Sequence, residues 1–251
     1  RQLGENGVKI ATLTNGTFLK GEVAEIFAKY GTWVRISTDA WDDESIKKFR
    51  GIKKDDFTTI CNNIKNFTKF NTKCVLGISF VVTHENHKHI FSFANHMKEL
   101  GVNHIKISGC VISMNGRENN TYHAKIKDHV FAEIKKSEEL NDENFKIINH
   151  YHDMDESFDK DYKTCRFLQF LTVIGADLKV YTCQDKAYTE SGLLGSIENM
   201  SFQKFWFSRE NREKLLSLNP HTQCKHHCVA HAKNLLINDF LALDRDHIDF
   251  V

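Results

Sequence analysis

The sequence predicts an α/β fold over its first half, followed by a smaller module of different construction. Three observations predict this. Short apolar runs alternate with helical stretches from Val8 to Tyr151, and glycines punctuate the helix ends. The alternation then stops at the acidic stretch DMDESFDKD, residues 153–161, which reads as a linker.

Taken in order, VKIATLTNG (8–16) is a strand ended by a turn, and EVAEIFAKYG (22–31) has helical spacing with a glycine stop. WVRISTD (33–39) is strand-like, and residues 43–70 read as helical with a break at Gly51. KCVLGISFVVT (73–83), VNHIKISGCVI (102–112) and NFKIINHY (144–151) are further strands, separated by helical stretches at 85–101 and 122–140. Near-continuous apolar runs of this kind predict strands buried on both faces of a parallel sheet. Ligand chemistry in such a sheet belongs at the carboxyl ends of the strands. There the sequence places TNG (14–16), STD (37–39), VVTHEN (81–86) and KISG (106–109).

In the second module, residues 165–183 read as a hairpin turning at Gly175, bracketed by Cys165 and Cys183. Residues 192–218 give a Gly-rich turn and then helix, and residues 228–243 a closing helix.

Composition excludes several classes. The 251 residues suffice for a large core, and 34 basic against 33 acidic residues give no global field for nucleic acid or a membrane surface. No apolar run reaches membrane-span length, and the first residues show no secretory pattern. Seven cysteines, an odd number without an export signal, point to reduced thiols or metal ligands in a cytoplasmic protein.

Four of those cysteines fall in the second module, spaced Cys165-x17-Cys183-x40-Cys224-x3-Cys228. Thiolates suit zinc or an iron–sulfur cluster, and four complete either site. The stretch HTQCKHHCVAHAKN (221–234) also carries His221, His226, His227 and His231, so a Cys/His zinc site is a rival. Four unrelated buried thiols are the third reading. Cys61, Cys74 and Cys110 show no ligand spacing and read as core thiols.

The stretches ATLTNGTFL, WVRISTDAWDDES, KKFRGIKKDDFTTICNNI, VLGISFVVTHEN and MKELGVNHIKIS resemble, in order, the later βα units of radical S-adenosylmethionine (SAM) enzymes. The second module resembles the twitch or SPASM-type extension of that superfamily through Cys165, ADLKVYTC, LLGSIEN, SFQKFW and CKHHC. The resemblance implies a partial (β/α)6 TIM-like barrel over residues 1–155 and a small α+β cluster-binding domain over 162–251. It implies hydrogen abstraction by a 5′-deoxyadenosyl radical, with substrate oxidation as an outcome. It also implies an auxiliary [4Fe–4S] cluster on Cys165, Cys183, Cys224 and Cys228. Ser37 and Asp39 match positions that face SAM in relatives, and Asn15 lies on the same rim; Arg50 matches an arginine that pairs with the SAM carboxylate or is a solvated helix arginine, and Lys106 and Ser108 end the next strand. The substrate would be a small molecule, a sugar or a peptide, and the electron donor an external flavodoxin or ferredoxin.

One departure stands out. The superfamily's C-x3-C-x2-C loop is absent, since no cysteine precedes Cys61, and the Gly-Glu motif is missing too. The opening at Arg1 reads as a chain entered partway through the fold, with the SAM-cleaving cluster belonging to a missing N-terminal portion. This chain alone is then not expected to cleave SAM. The alternatives are a degenerate, SAM-free relative, or a non-enzymatic module with structural zinc on Cys183, Cys224, Cys228 and a histidine.

Overall fold

The computed structural model describes residues 1–51, 54–151, 158–226 and 228–244. The chain divides into two compact units, one of residues 1–112 with 119–155 and the other of residues 113–118 with 156–251. The acidic stretch at 153–157 and His227 lie outside the described residues.

The first unit holds a short helix α1 (Gln2–Glu5), then β1 (Ile10–Thr14), α2 (Gly21–Tyr30), β2 (Gly31–Ser37), α3 (Asp43–Arg50), α4 (Asp56–Thr68) and β3 (Val75–Val82). It continues with a 3-10 turn, His87–His89, then α5 (Ile90–Glu99), β4 (His104–Gly109), α6 (Gly116–Ala124), whose first residues group with the second unit, α7 (Lys127–Glu138) and β5 (Lys146–Asn149). All neighbouring strands pair in parallel, in the order β1-β2-β3-β4-β5. Strand order equal to chain order brings every carboxyl end to one edge of the sheet.

Local chemistry fixes the helix boundaries. The Asp42 carboxylate accepts from Ser45 N–H at 2.7 Å while Ser45 Oγ accepts from Asp42 N–H at 3.0 Å, a reciprocal cap that starts α3. Gly51, at φ 62°, ends it in the left-handed conformation that glycine adopts without cost. The helical stretch expected over 43–70 is therefore two helices, and the one over 122–140 is also split in two.

The sheet is not buried on both faces as the sequence predicts. Val34, Ile36, Leu76, Ile78, Phe80, Ile105 and Ile107 are buried against Ile46, Ile60, Ile64, Phe93, Met97 and Val130. The opposite face carries Arg35, Ser37, Ser79, Lys106 and Ser108, all half-buried. The apolar residues in WVRIS and HIKIS alternate with polar ones, so each strand has one apolar and one polar face. On the outermost strand, β1, Leu13 is 64% exposed.

Ile78 sits at the centre of the sheet with 0% exposure. Ile78→Ala is expected to destabilise the first unit by about 2–5 kcal/mol, because the removed atoms leave a cavity that helices cannot fill. Urea unfolding followed through Trp33 and Trp41 fluorescence checks this.

The second unit contains a 3-10 turn (Arg166–Gln169), β6 (Val173–Ile174), β7 (Lys179–Tyr181), two 3-10 turns (Gln184–Lys186 and Glu190–Gly192) and β8 (Leu193–Ser196). Four helices follow: α8 (Phe202–Trp206), α9 (Arg209–Ser217), α10 (Pro220–Gln223) and α11 (His231–Ala242). Its three strands form an antiparallel sheet in the order β6-β7-β8. The expected hairpin turns at Gly175 between β6 and β7 but is shorter than expected. Residues after Cys165 form a 3-10 turn, because Asn234 Oδ1 accepts from Phe167 N–H at 2.9 Å and Leu168 turns into the core. The Gly-rich turn expected from 192 ends at Gly192, and Leu193–Ser196 form the third strand. Gly195 within it lies where a Cβ would meet the Phe205 ring at 2.6 Å.

Candidate functional site

The sheet edge of the first unit gathers three of the four residues expected at SAM. Arg50, at the end of α3, donates from Nη2 to the Ser37 carbonyl at 3.0 Å. Asp39 Oδ1 accepts from Val81 N–H at 3.3 Å. Burial holds the Asp39 carboxyl above the usual carboxylate range, and the Val81 N–H and the Arg50 charge oppose that rise. Arg50 itself is exposed. Asn15 lies on the same edge but is engaged in its own turn, its Oδ1 accepting from Thr17 N–H at 3.1 Å.

Asn86 is the organiser of this edge, and the sequence did not single it out. It is fully buried, donating to Asp39 O at 3.0 Å and Val81 O at 2.9 Å while accepting from Thr83 N–H at 2.7 Å. One side chain thus ties the ends of β2 and β3 together. Its only signal in the sequence was its place in VVTHEN.

Lys106 and Ser108 lie on the polar face, in register with Ser79 and Val81. Arg35 shares that face with the indole of Trp33, 5.3 Å from its guanidinium carbon. Gly77 leaves room there for His104, since a Cβ would meet its Nε2 at 2.2 Å. At the end of β4, Cys110 is half-buried rather than a core thiol. His123 Nε2–H donates to its carbonyl at 2.9 Å, and the Tyr151 hydroxyl meets His123 Nδ1 at 3.0 Å.

His87, His104 and His123 all have pKa values below the ordinary 6.5, chiefly because burial disfavours the charged ring. The unfolded chain takes up these protons near 6.5, whereas the folded chain resists them until lower pH. Stability is therefore expected to fall as pH drops below about 6.5 and to level off above it. Urea midpoints at pH 7.5 and 5.5 check this, and equal midpoints would contradict it.

The second unit brings all four module cysteines into one neighbourhood. Cys224 is part of its core with Leu168, Val180, Leu194, Phe205, Leu215 and Leu218, and Cys165 and Cys183 pack against that core. Cys165 feels the charge of Cys183, Cys224 feels Cys183 and Cys165, and Cys228 feels Cys165. Burial raises the Cys165 thiol and pushes those of Cys224 and Cys228 up to about 11. Such thiols stay protonated at neutral pH, and a bound soft metal is what deprotonates them. Buried Asn234 donates from Nδ2 to Cys165 Sγ at 3.3 Å, a hydrogen bond of the kind that tunes iron–sulfur potentials.

Spacing tests which group fits. Among the described residues, the ligand atoms that all lie within 4.8 Å of one another are those of Asp185, His226 and Cys228. No three of the four thiol sulfurs share that spacing. Tetrahedral zinc holds its sulfurs about 3.8 Å apart, given zinc–sulfur bonds of about 2.3 Å. Four thiols beside one core supply the soft donor set that either an iron–sulfur cluster or zinc takes. The other histidines are engaged elsewhere: His231 Nδ1 with the Tyr162 hydroxyl at 3.1 Å, and His221 Nδ1 with Lys160 O at 2.7 Å.

The radical SAM superfamily model matches residues 1–97. Over that stretch, which is less than half of the chain, the sequence is similar to the superfamily. The chain is similar to the solved structure of histidine-tagged anSMEcpe with bound AdoMet at 15% identity and a TM-score of 0.50, covering 96% of this chain and 75% of that one. The structure of anSMEcpe with AdoMet and Kp18Cys peptide gives 16% identity and a TM-score of 0.50, covering 93% and 74%. Streptococcus suis SuiB bound to precursor peptide SuiA gives 15% identity and a TM-score of 0.55, covering 88% of this chain and 55% of that one. At these identities the likeness is one of fold. It groups the open parallel sheet of the first unit with partial-barrel folds. No curated protein sequence matches the chain significantly. Among the described residues no helix is long and apolar enough to cross a membrane.

Proposed function

We propose that the chain is part of a radical SAM enzyme that modifies a peptide, with an auxiliary [4Fe–4S] cluster held by Cys165, Cys183, Cys224 and Cys228 in a twitch or SPASM-type domain. The observation that carries it is the meeting of four thiols, drawn from separate stretches of the chain, beside one small core. Peptide is favoured over sugar or other small molecules because two of the similar structures contain peptides.

SAM would supply a 5′-deoxyadenosyl radical for hydrogen abstraction from substrate, and Cys165, Cys183, Cys224 and Cys228 would hold the auxiliary cluster as an electron acceptor. The residues of this chain bind and orient. Arg50 fixes its guanidinium against the Ser37 carbonyl and presents its remaining N–H groups to a carboxylate such as that of SAM. Asp39, Ser37 and Asn15 offer oxygens to ribose hydroxyls and the SAM ammonium group. The polar face with Lys106 and Ser108 receives substrate. An external flavodoxin or ferredoxin in a reducing, cytoplasmic setting supplies electrons.

Arg50→Lys is expected to weaken SAM binding about tenfold, since an ammonium cannot reproduce the paired N–H geometry. Equilibrium dialysis with labelled SAM checks it.

A second reading rests on the tight trio Asp185, His226 and Cys228, whose donor set and spacing suit zinc. Anaerobic reconstitution followed by iron, sulfide and zinc analysis separates the two. The cluster reading expects about four iron and four sulfide per chain. One zinc without sulfide sinks it.

A further inference from the structure

We propose that Lys160 and Lys186 are buried counter-charges of an anionic metal centre at the four cysteines, and that they raise its reduction potential. This rests on the auxiliary-cluster reading above.

The two lysines are 2% and 5% exposed, an unusual place for ammonium groups. Lys160 Nζ donates to Phe158 O at 3.0 Å and His226 O at 3.3 Å, and Lys186 Nζ donates to Ser191 Oγ at 3.1 Å. These acceptors are all neutral, and among the described residues neither lysine pairs with a carboxylate. A buried cation costs several kcal/mol when no anion offsets it. The anions on offer are the thiolates. Lys160 Nζ reaches the carbonyl of His226, which stands between Cys224 and Cys228 in the chain, and the Lys186 N–H donates to the Cys183 carbonyl at 3.2 Å.

Both are held by their surroundings. His221 Nδ1–H donates to the Lys160 carbonyl at 2.7 Å. Gly192 lies so close that a Cβ there would meet Lys186 O at 2.0 Å. One charge of opposite sign faces the same site: a carboxylate oxygen of Asp185 lies within 4.8 Å of Cys228 Sγ. A four-thiolate cluster is anionic in both redox states. One electron taken from a reductant adds one negative charge, so a nearby cation favours the reduced form and a nearby anion disfavours it.

The test uses the chain reconstituted anaerobically with iron and sulfide. The one-electron midpoint is read by dithionite titration and visible absorption, alongside iron content. K160M and K186M are each expected to lower the midpoint by about 59 mV, a tenfold loss of the reduced form, whereas K160R holds it near the parent value. D185N is expected to move it upward. Lys→Met variants with full iron content and an unmoved midpoint overturn the proposal. Where K160M instead loses iron, retention of iron by K160R supports the counter-charge, and loss in both overturns it. A parent chain that takes up zinc and no sulfide overturns the cluster reading itself, which separates that failure from this one.

Discussion

Cys224→Ser is expected to cut the iron bound by the reconstituted chain at least about fivefold and to bleach its visible absorption, because a hydroxyl is a poor ligand for a soft site. Cys224 is the most deeply placed of the four module cysteines, 8% exposed in the core of the second unit. It stands at the C-terminal end of α10, which Asn219 caps by accepting from His221 N–H at 3.1 Å. Its thiol is therefore aimed by a fixed turn. The serine also buries a hydroxyl among Leu168, Leu194 and Phe205, at a cost of about 1–3 kcal/mol if it finds no partner. Stability loss alone is thus no proof, and a control is needed. Cys74→Ser, in the core of the first unit, places the same change in an apolar site outside the four-cysteine group. It is expected to destabilise its unit while leaving bound iron unchanged. Equal iron in both variants would break the assignment.

Asn86→Ala is expected to cost about 2–4 kcal/mol in the first unit and to weaken SAM binding in the same variant. The truncation strands the Thr83 N–H and the Asp39 and Val81 carbonyls at the place where β2 and β3 end. Water cannot replace the amide cheaply, since Asn86 has 0% exposure. With the Asp39 carbonyl released, the Asp39 carboxyl loses the backbone that aims it. Urea unfolding followed through Trp33 and Trp41, with labelled SAM in equilibrium dialysis, reads both effects. A loss under about 0.5 kcal/mol would show that the edge does not depend on this side chain.

Much of the fold was legible because strand, helix and glycine signals agreed with one another. Gly51 broke the helical stretch where expected, and the parallel order of β1 to β5 follows from the βα alternation. The errors have specific causes. WVRIS and HIKIS carry Arg35 and Lys106 at alternate positions, a period-2 signal masked by the apolar residues between them. Residues 166–169 carry two aromatic or aliphatic neighbours that suit a strand, yet a side chain 67 positions away in sequence, Asn234, captures the Phe167 amide. No local rule reports such a partner. The same holds for the site. Ser37 and Asp39 were visible as a polar strand end, and the four cysteines as a spacing. Asn86, Asp185 and the buried lysines were not, since their roles exist only once distant segments meet.

The most direct test of the account is X-ray absorption at the metal edge of the anaerobically reconstituted chain. The account expects iron with an all-sulfur first shell and a second shell of iron, the signature of a cluster held by Cys165, Cys183, Cys224 and Cys228. Zinc with mixed nitrogen, oxygen and sulfur ligands, as Asp185, His226 and Cys228 would supply, contradicts it.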